Sequence, residues 1–153
     1  MQVQLKNIVK EYPNPAGAHR VLNNVNLDLN RGDFVAIVGS SGIGKTTLLN
    51  MITGVDAPTS GEAVLDGHLL TEVKHLTKWR ARHIGIVFQF FQLLPTLTIA
   101  QNVMVPMDYG GMYPRTQRRS VANKLLDELG IADQVDKTPD MLSGGQQQRA
   151  AIA

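Results

Sequence analysis

One run of residues restricts this chain more than its composition does. Five apolar residues, Phe34-Val-Ala-Ile-Val38, lead directly into Gly39-Ser-Ser-Gly-Ile-Gly-Lys-Thr46, and a stretch with Leu48, Leu49 and Ile52 on one side follows. A run apolar on both faces suits a strand sandwiched inside an α/β sheet. The spacing after Lys45 is that of a helix, with Gly54 as the residue just past its end. The octet between strand and helix matches G-x-x-x-x-G-K-[ST]. Its glycines let the backbone curl until successive N–H groups point inward as an anion nest. A helix starting near Lys45 adds four unpaired N–H groups and the positive end of its dipole. Such a corner suits a nucleotide's phosphates, with Lys45 reaching the β- and γ-phosphates and the Thr46 hydroxyl ligating Mg²⁺.

The rest of the chain is consistent with one α/β domain of 153 residues. Residues 3–9 read as a short strand and 10–20 as a loop with Pro13, Pro15 and Gly17. Val25, Leu27 and Leu29 alternate with Asn26, Asp28 and Asn30 as in a half-buried strand, which ends at the turn Arg31-Gly32-Asp33. Residues 57–67 predict a turn, a strand and a turn; 72–82 a basic helix; Ile84-Gly-Ile-Val-Phe88 another buried strand. Thr98-Ile-Ala-Gln101 has capping-box spacing, and Val121, Leu125, Leu126 and Leu129 before Gly130 mark a further helix.

Composition excludes several classes. With 43% hydrophobic and 18% charged residues the chain is not a disordered tail. The absence of cysteine removes disulfide scaffolds, thiolate nucleophiles and Cys-ligated zinc. The net charge of +2 does not argue for nucleic acid, and no nucleic-acid partner is expected. The basic stretch Lys74, His75, Lys78, Arg80, Arg82 and His83 around Trp79 reads as a solvated helix face. His19, His68, His75 and His83 lack metal-like spacing. No segment approaches the ~20 apolar residues that span a bilayer, nor does the N-terminus carry a signal sequence.

A guanine-specific nucleotide site fails on its base reader. The nearest candidate, Asn123-Lys-Leu-Leu126, has Leu where a carboxylate is needed, and no buried strand precedes Asp108-Tyr-Gly-Gly111. Leu142-Ser-Gly-Gly-Gln-Gln-Gln-Arg149 points elsewhere. Ser143 is a good N-cap, and Gly144-Gly145 leave the backbone bare, so a second phosphate can approach this helix start. With the first glycine corner, Val87-Phe-Gln89 midway and Tyr12 near the first strand, the chain resembles the ATPase subunit of ABC transporters along its whole length. Val87 to Thr98 and the triple Gln before Arg149 resemble the lipoprotein-releasing and macrolide-exporter group and the related cell-division ATPase, with departures at Ile43, Gln101 and Met141. Between Thr46 and Ser143 there is no heptad run, unlike the coiled-coil insertions of DNA-repair members.

The resemblance implies a P-loop NTPase with a RecA-like parallel-sheet core, an antiparallel β subdomain and a helical subdomain. Residues 1–90 would be the core and β subdomain, 91–141 the mainly helical part, and 142–153 the signature and the start of its helix. It assigns ATP and Mg²⁺ contacts to Tyr12, Gly39, Ser40, Ser41, Gly42, Ile43, Gly44, Lys45, Thr46, Thr47 and Gln89, with Tyr12 stacking on adenine. Thr46 and Gln89 would serve the metal, and Gln89 the attacking water. Leu142, Ser143, Gly144, Gly145 and Gln146 would act in trans on the γ-phosphate bound by a second copy or a paired ATPase domain. ATP would close that dimer and hydrolysis release it. Phe90 to Thr98 would face a membrane permease at the cytoplasmic side of the inner membrane.

The implied Walker B Asp, catalytic Glu and switch His do not occur within these residues. Leu125-Leu-Asp-Glu128 precedes the signature and lies on a helix-period pattern, with Lys124 and Glu128 as an i,i+4 pair. The expectation is therefore a partial sequence, inactive alone as a steady-state ATPase and poorly stable without a strand beside Phe34–Val38. The alternatives are a non-transport ATPase of the cell-division type and a catalytically silent ATP-binding fragment.

Overall fold

The computed structural model describes residues 2–15 and 17–153, which form two compact units, Met1–Leu76 and Thr77–Ala153. In the first, β1 (Val3–Asn14) lies at the centre of an antiparallel sheet of order β2-β1-β3-β4, with β2 (Gly17–Leu29), β3 (Ser60–Leu65) and β4 (His68–Leu69). The expected loop over 10–20 is instead the end of a long hairpin. β1 runs through Tyr12 and Pro13, paired with His19 and Ala18 on β2. Proline, which has no N–H to donate, is tolerated there because β3 pairs with β1 only as far as Val9, so β1 is an edge strand at Pro13. Ser60 and Gly61, expected in a turn, open β3.

Strict alternation would put Val3, Leu5 and Asn7 on one face of β1, yet the buried residues are Val3, Leu5 and Ile8. Asn7 adopts a left-handed φ of 51°, and the register with β2 shifts between Leu5↔Leu27 and Ile8↔Val25. This bulge inserts one residue and flips the inward parity. With Leu22, Met51, Ile52, Ala63, Leu65 and Leu70, these side chains form the unit's core. Helix α1 (Lys45–Thr53) supplies Met51 and Ile52, and stops at Gly54 with φ 63°, as the glycine predicts.

Two expected strands are not formed. Residues 34–38 and 84–88 have no strand partner among the described residues, and Phe34 is 99% exposed. A two-sided apolar pattern states a preference for burial, but a strand exists only where neighbours accept and donate its backbone bonds. In the first unit every strand is already committed to the antiparallel sheet.

The second unit contains α2 (Leu76–His83) from Thr77 onward, α3 (Ile99–Gly110), α4 (Arg115–Glu128) and α5 (Gly144–Ile152). The basic helix expected at 72–82 starts later, after a 3₁₀ turn at Leu70–Glu72. Trp79 and His83 stack one turn apart on α2, with ring centroids 4.4 Å apart. The core joins Ile99, Val103 and Met107 of α3 to Ala122 and Leu126 of α4, to Ala150 of α5, and to Ile131 and Leu142 outside these helices. Thr98 caps α3 as its spacing predicts: its Oγ1 accepts the Gln101 N–H, and Gln101 Oε1 accepts the Thr98 N–H at 2.8 Å. Asp127 and Glu128 are exposed on α4, with Lys124 Nζ 3.9 Å from Glu128 Oε1, so this acidic pair is a solvated helix face.

Candidate functional site

The glycine corner is built by backbone shape. Gly39, Gly42 and Gly44 have φ of 156°, 80° and 98°; the last two lie in the left-handed region where a side chain is strained. Gly44 is also tightly placed, since a Cβ there would meet Val21 Cγ1 at 3.1 Å and the Val21 carbonyl oxygen at 3.2 Å. The corner thus rests directly on β2, a contact the sequence did not reveal. Gly44 precedes α1, whose first turn contains Lys45, Thr46 and Thr47 and no acidic residue. The N–H groups of that turn have no intrahelical acceptors. Lys45 Nζ curls back to donate to the carbonyls of Gly39, at 2.9 Å, and Ser40, at 2.7 Å. Its ammonium is therefore held over the same loop in which the sequence predicts an anion nest. Ser40, Ser41, Gly42, Ile43 and Thr46 are exposed, Ile43 at 62%. Donor N–H groups, a held ammonium and a hydroxyl at one helix start fit a polyphosphate carrying a hard divalent cation.

Tyr12 belongs to the same unit and is half-buried on β1. Its hydroxyl donates to Asp56 Oδ2 at 2.9 Å, and Asp56 lies just past α1. Lys10 Nζ donates to Asp56 Oδ1 at 2.8 Å and to the Ala57 carbonyl at 2.7 Å. The Lys10 hydrogen bond, helped by those from Tyr12 and the Ala57 N–H, holds the Asp56 carboxyl below its ordinary value against the opposing effect of burial. Sequence reasoning missed Asp56 and Lys10. An Asp beside a turn looks like turn chemistry, and nothing local links it to a tyrosine 44 positions earlier.

Gln89 lies in the second unit, exposed in a turn. Beyond it Phe91 and Gln92 both have φ of 57°, a left-handed pair that costs about 1–3 kcal/mol per residue. Phe90 is left 78% exposed. Asn102, also missed from sequence, fastens the following segment to α3. Its Oδ1 accepts the Leu94 N–H at 2.7 Å, and its Nδ2 donates to the carbonyls of Leu94, Leu97 and Thr98.

The signature opens α5. Leu142 is buried, while Ser143, Gly144 and Gly145 are exposed, and a Cβ on either glycine would meet nothing within 4 Å. Ser143 is the N-cap its type predicts, in a full capping box: its Oγ accepts the Gln146 N–H, and Gln146 Oε1 accepts the Ser143 N–H at 2.9 Å. Gln147 ties the helix start to the carbonyls of Pro139 and Leu142. Tyr12 and residues 39–47 are thus gathered in the first unit, and Gln89 and residues 142–146 in the second.

A family profile described as ABC transporter matches residues 22–153. The chain belongs to the ABC transporter family. Among its relatives, an uncharacterized ABC transporter ATP-binding protein of Mycobacterium tuberculosis is 42% identical over 99% of this chain and 61% of its own length. The uncharacterized ABC transporter ATP-binding protein YknY of Bacillus subtilis is 43% identical over 99% of this chain and 66% of its own. The macrolide export ATP-binding/permease protein MacB of Brucella melitensis is 43% identical over 99% of this chain and 24% of its own. This ABC-family chain therefore spans less than two thirds of the length of each of these three relatives. Its fold matches the dimeric ATP-binding cassette MJ0796 bound to ADP and Pi, with a TM-score of 0.89, 41% identity, and coverage of 98% of this chain and 67% of that one. The ABC ATPase assignment and α/β class expected from the motifs agree with these matches. Among the described residues, no helix is long and apolar enough to cross a membrane.

Proposed function

We propose that this chain is part of the ATP-binding and ATP-hydrolysing motor subunit of an ABC transporter. The observation that carries this reading is the pairing, in one chain, of two glycine-opened helix starts: the corner at Lys45 and the capped start at Ser143. Each offers backbone N–H groups to an anion. ATP would lie with its phosphates on residues 39–47, Lys45 turning from its own loop carbonyls toward the β- and γ-phosphates. Mg²⁺ would be held by the Thr46 hydroxyl and the Gln89 amide, supplying charge neutralisation at the phosphates. Tyr12 would stack on the adenine. Leu142, Ser143, Gly144, Gly145 and Gln146 would complete the site of a second copy or paired ATPase domain, a head-to-tail arrangement consistent with C2 symmetry.

On this reading, residues 1–90 form the nucleotide-binding core and β subdomain, 91–141 the mainly helical part, and 142–153 the signature and its helix. Phe90, displayed by the turn after Gln89, would dock a membrane permease at the inner face of the membrane. The experiment is nucleotide titration of the subunit and of a 1–153 polypeptide. Both should bind ATP, with Lys45→Ala weakening it at least about tenfold, a loss of about 1.4 kcal/mol. The 1–153 polypeptide should show no steady-state turnover. Unchanged ATP affinity in Lys45→Ala refutes the site, and turnover by 1–153 that Lys45→Ala abolishes refutes the assignment of hydrolysis to residues outside it.

A further inference from the structure

Taking the ATP reading above as its premise, we propose that Asp56 is a positioning residue for the base of the bound nucleotide. It locks the Tyr12 ring by its hydroxyl and thereby sets that ring at a fixed offset from the phosphate corner.

A phenol ring on a strand has two torsions free to turn. Here both are restrained. The hydroxyl is held 2.9 Å from Asp56 Oδ2, and the Lys10 ammonium sits 4.9 Å from the ring centroid, occupying one face. Lys10 is placed there by the same carboxylate, at 2.8 Å, and by the Ala57 carbonyl. On this reading the base stacks on the face opposite Lys10.

Asp56 is itself held against the far end of the phosphate-binding helix. Its backbone N–H and that of Val55 both donate to the Asn50 carbonyl in the last turn of α1, at 3.3 and 3.0 Å, and its Oδ1 accepts the Ala57 N–H at 2.8 Å. The other end of α1 is Lys45. Nine residues at about 1.5 Å each make α1 a strut of about 13–14 Å. Its start contacts the phosphates, and the residue beyond its end orients the ring. A nucleotide that meets both contacts at once gains from having their separation preset, because a free ring would have to be ordered on binding.

The competing role is purely structural, a tether between the hairpin and α1. The two differ in what a ligand without a base would feel. The test is to titrate the full-length subunit with ATP and, separately, with inorganic tripolyphosphate. The variants are Tyr12→Phe, which keeps the ring and removes the hydroxyl, Asp56→Asn and Tyr12→Ala. Complete loss of base stacking is worth about 5- to 150-fold. Loosening the ring should cost a fraction of this, about 3- to 10-fold in ATP affinity for both Tyr12→Phe and Asp56→Asn. Tripolyphosphate affinity should stay within about twofold, and the double variant should be no weaker than the worse single one, since both remove the same bond. Equal weakening toward both ligands overturns the proposal in favour of the tether. So does ATP affinity unchanged in Tyr12→Phe and Asp56→Asn but weakened in Tyr12→Ala, because the ring then stacks without its lock. ATP affinity indifferent to Tyr12→Ala but dependent on Lys45 also overturns it, while leaving the phosphate corner in place. Absence of ATP binding by the wild-type subunit is the distinct result that removes the premise.

Discussion

Gly61 should be among the least replaceable positions of the sheet, and the reason can be isolated by comparison with Gly67. Gly61 sits on β3 opposite the bulge of β1, where the register passes from Lys6↔Glu62 to Val9↔Ser60. It has φ +92°, and a Cβ there would lie 2.4 Å from the Asn7 carbonyl oxygen and 2.6 Å from that of Lys6. Both are backbone atoms of the central strand and cannot rotate away. Bringing the closer contact to 3.0 Å requires the strands to separate by about 0.6 Å, which strains the bonds that set their register. Gly67 has nearly the same handicap of conformation, φ +79°, but a Cβ there meets nothing within 4 Å. Gly67→Ala should therefore cost only the left-handed strain, about 1–2 kcal/mol. Gly61→Ala should cost that strain plus an overpacking penalty of about 1–3 kcal/mol, so about 2–5 kcal/mol in all. The assay is urea unfolding followed by circular dichroism, comparing midpoints at an unchanged slope. If the two variants lose equal stability, the close approach at the bulge contributes nothing and the reasoning fails.

Further predictions concern the signature and pH. Ser143→Ala removes the acceptor for the Gln146 N–H and should destabilise the start of α5 by about 1 kcal/mol; hydrogen exchange at the Gln146 amide should speed up about fivefold, and an unchanged rate contradicts the capping box. Asp56 has a folded-state pKa below its unfolded value, chiefly because of the Lys10 hydrogen bond. Its stabilisation is thus fully present above the unfolded value of about 3.9 and is lost as pH falls through the folded one. Between pH 6 and pH 3 the wild-type midpoint should fall further than that of Asp56→Asn; parallel declines would show that the carboxylate does not contribute.

Much of the candidate site was legible because its chemistry is local in sequence. Gly39 to Thr46 are eight consecutive residues, and Thr98 with Gln101 and Ser143 with Gln146 lie within one turn of chain. A cap needs an acceptor three residues from its donor, and that spacing survives any tertiary arrangement. The helix ends at Gly54 and Gly130 were readable for the same reason, since both adopt the left-handed φ that follows a last turn. Parity and pairing were not. One left-handed residue, Asn7, moves the buried face of β1 from odd to even numbers, and no alternation rule can see it.

What the amino-acid order determined by itself was therefore the set of short-range devices: the glycine corner before Lys45, the caps, the helix stops and the solvated acidic pair on α4. Tertiary structure alone decided which partners lie far apart along the chain. It tied Tyr12 and Lys10 to Asp56, Asn102 to the loop after Gln89, and Gly44 to Val21. It also left the apolar run Phe34–Val38 without a strand beside it among the described residues. The physical reason is the range of each interaction: a cap or a nest closes within one turn of backbone, whereas sheet pairing and side-chain tethers exist only once distant segments have met.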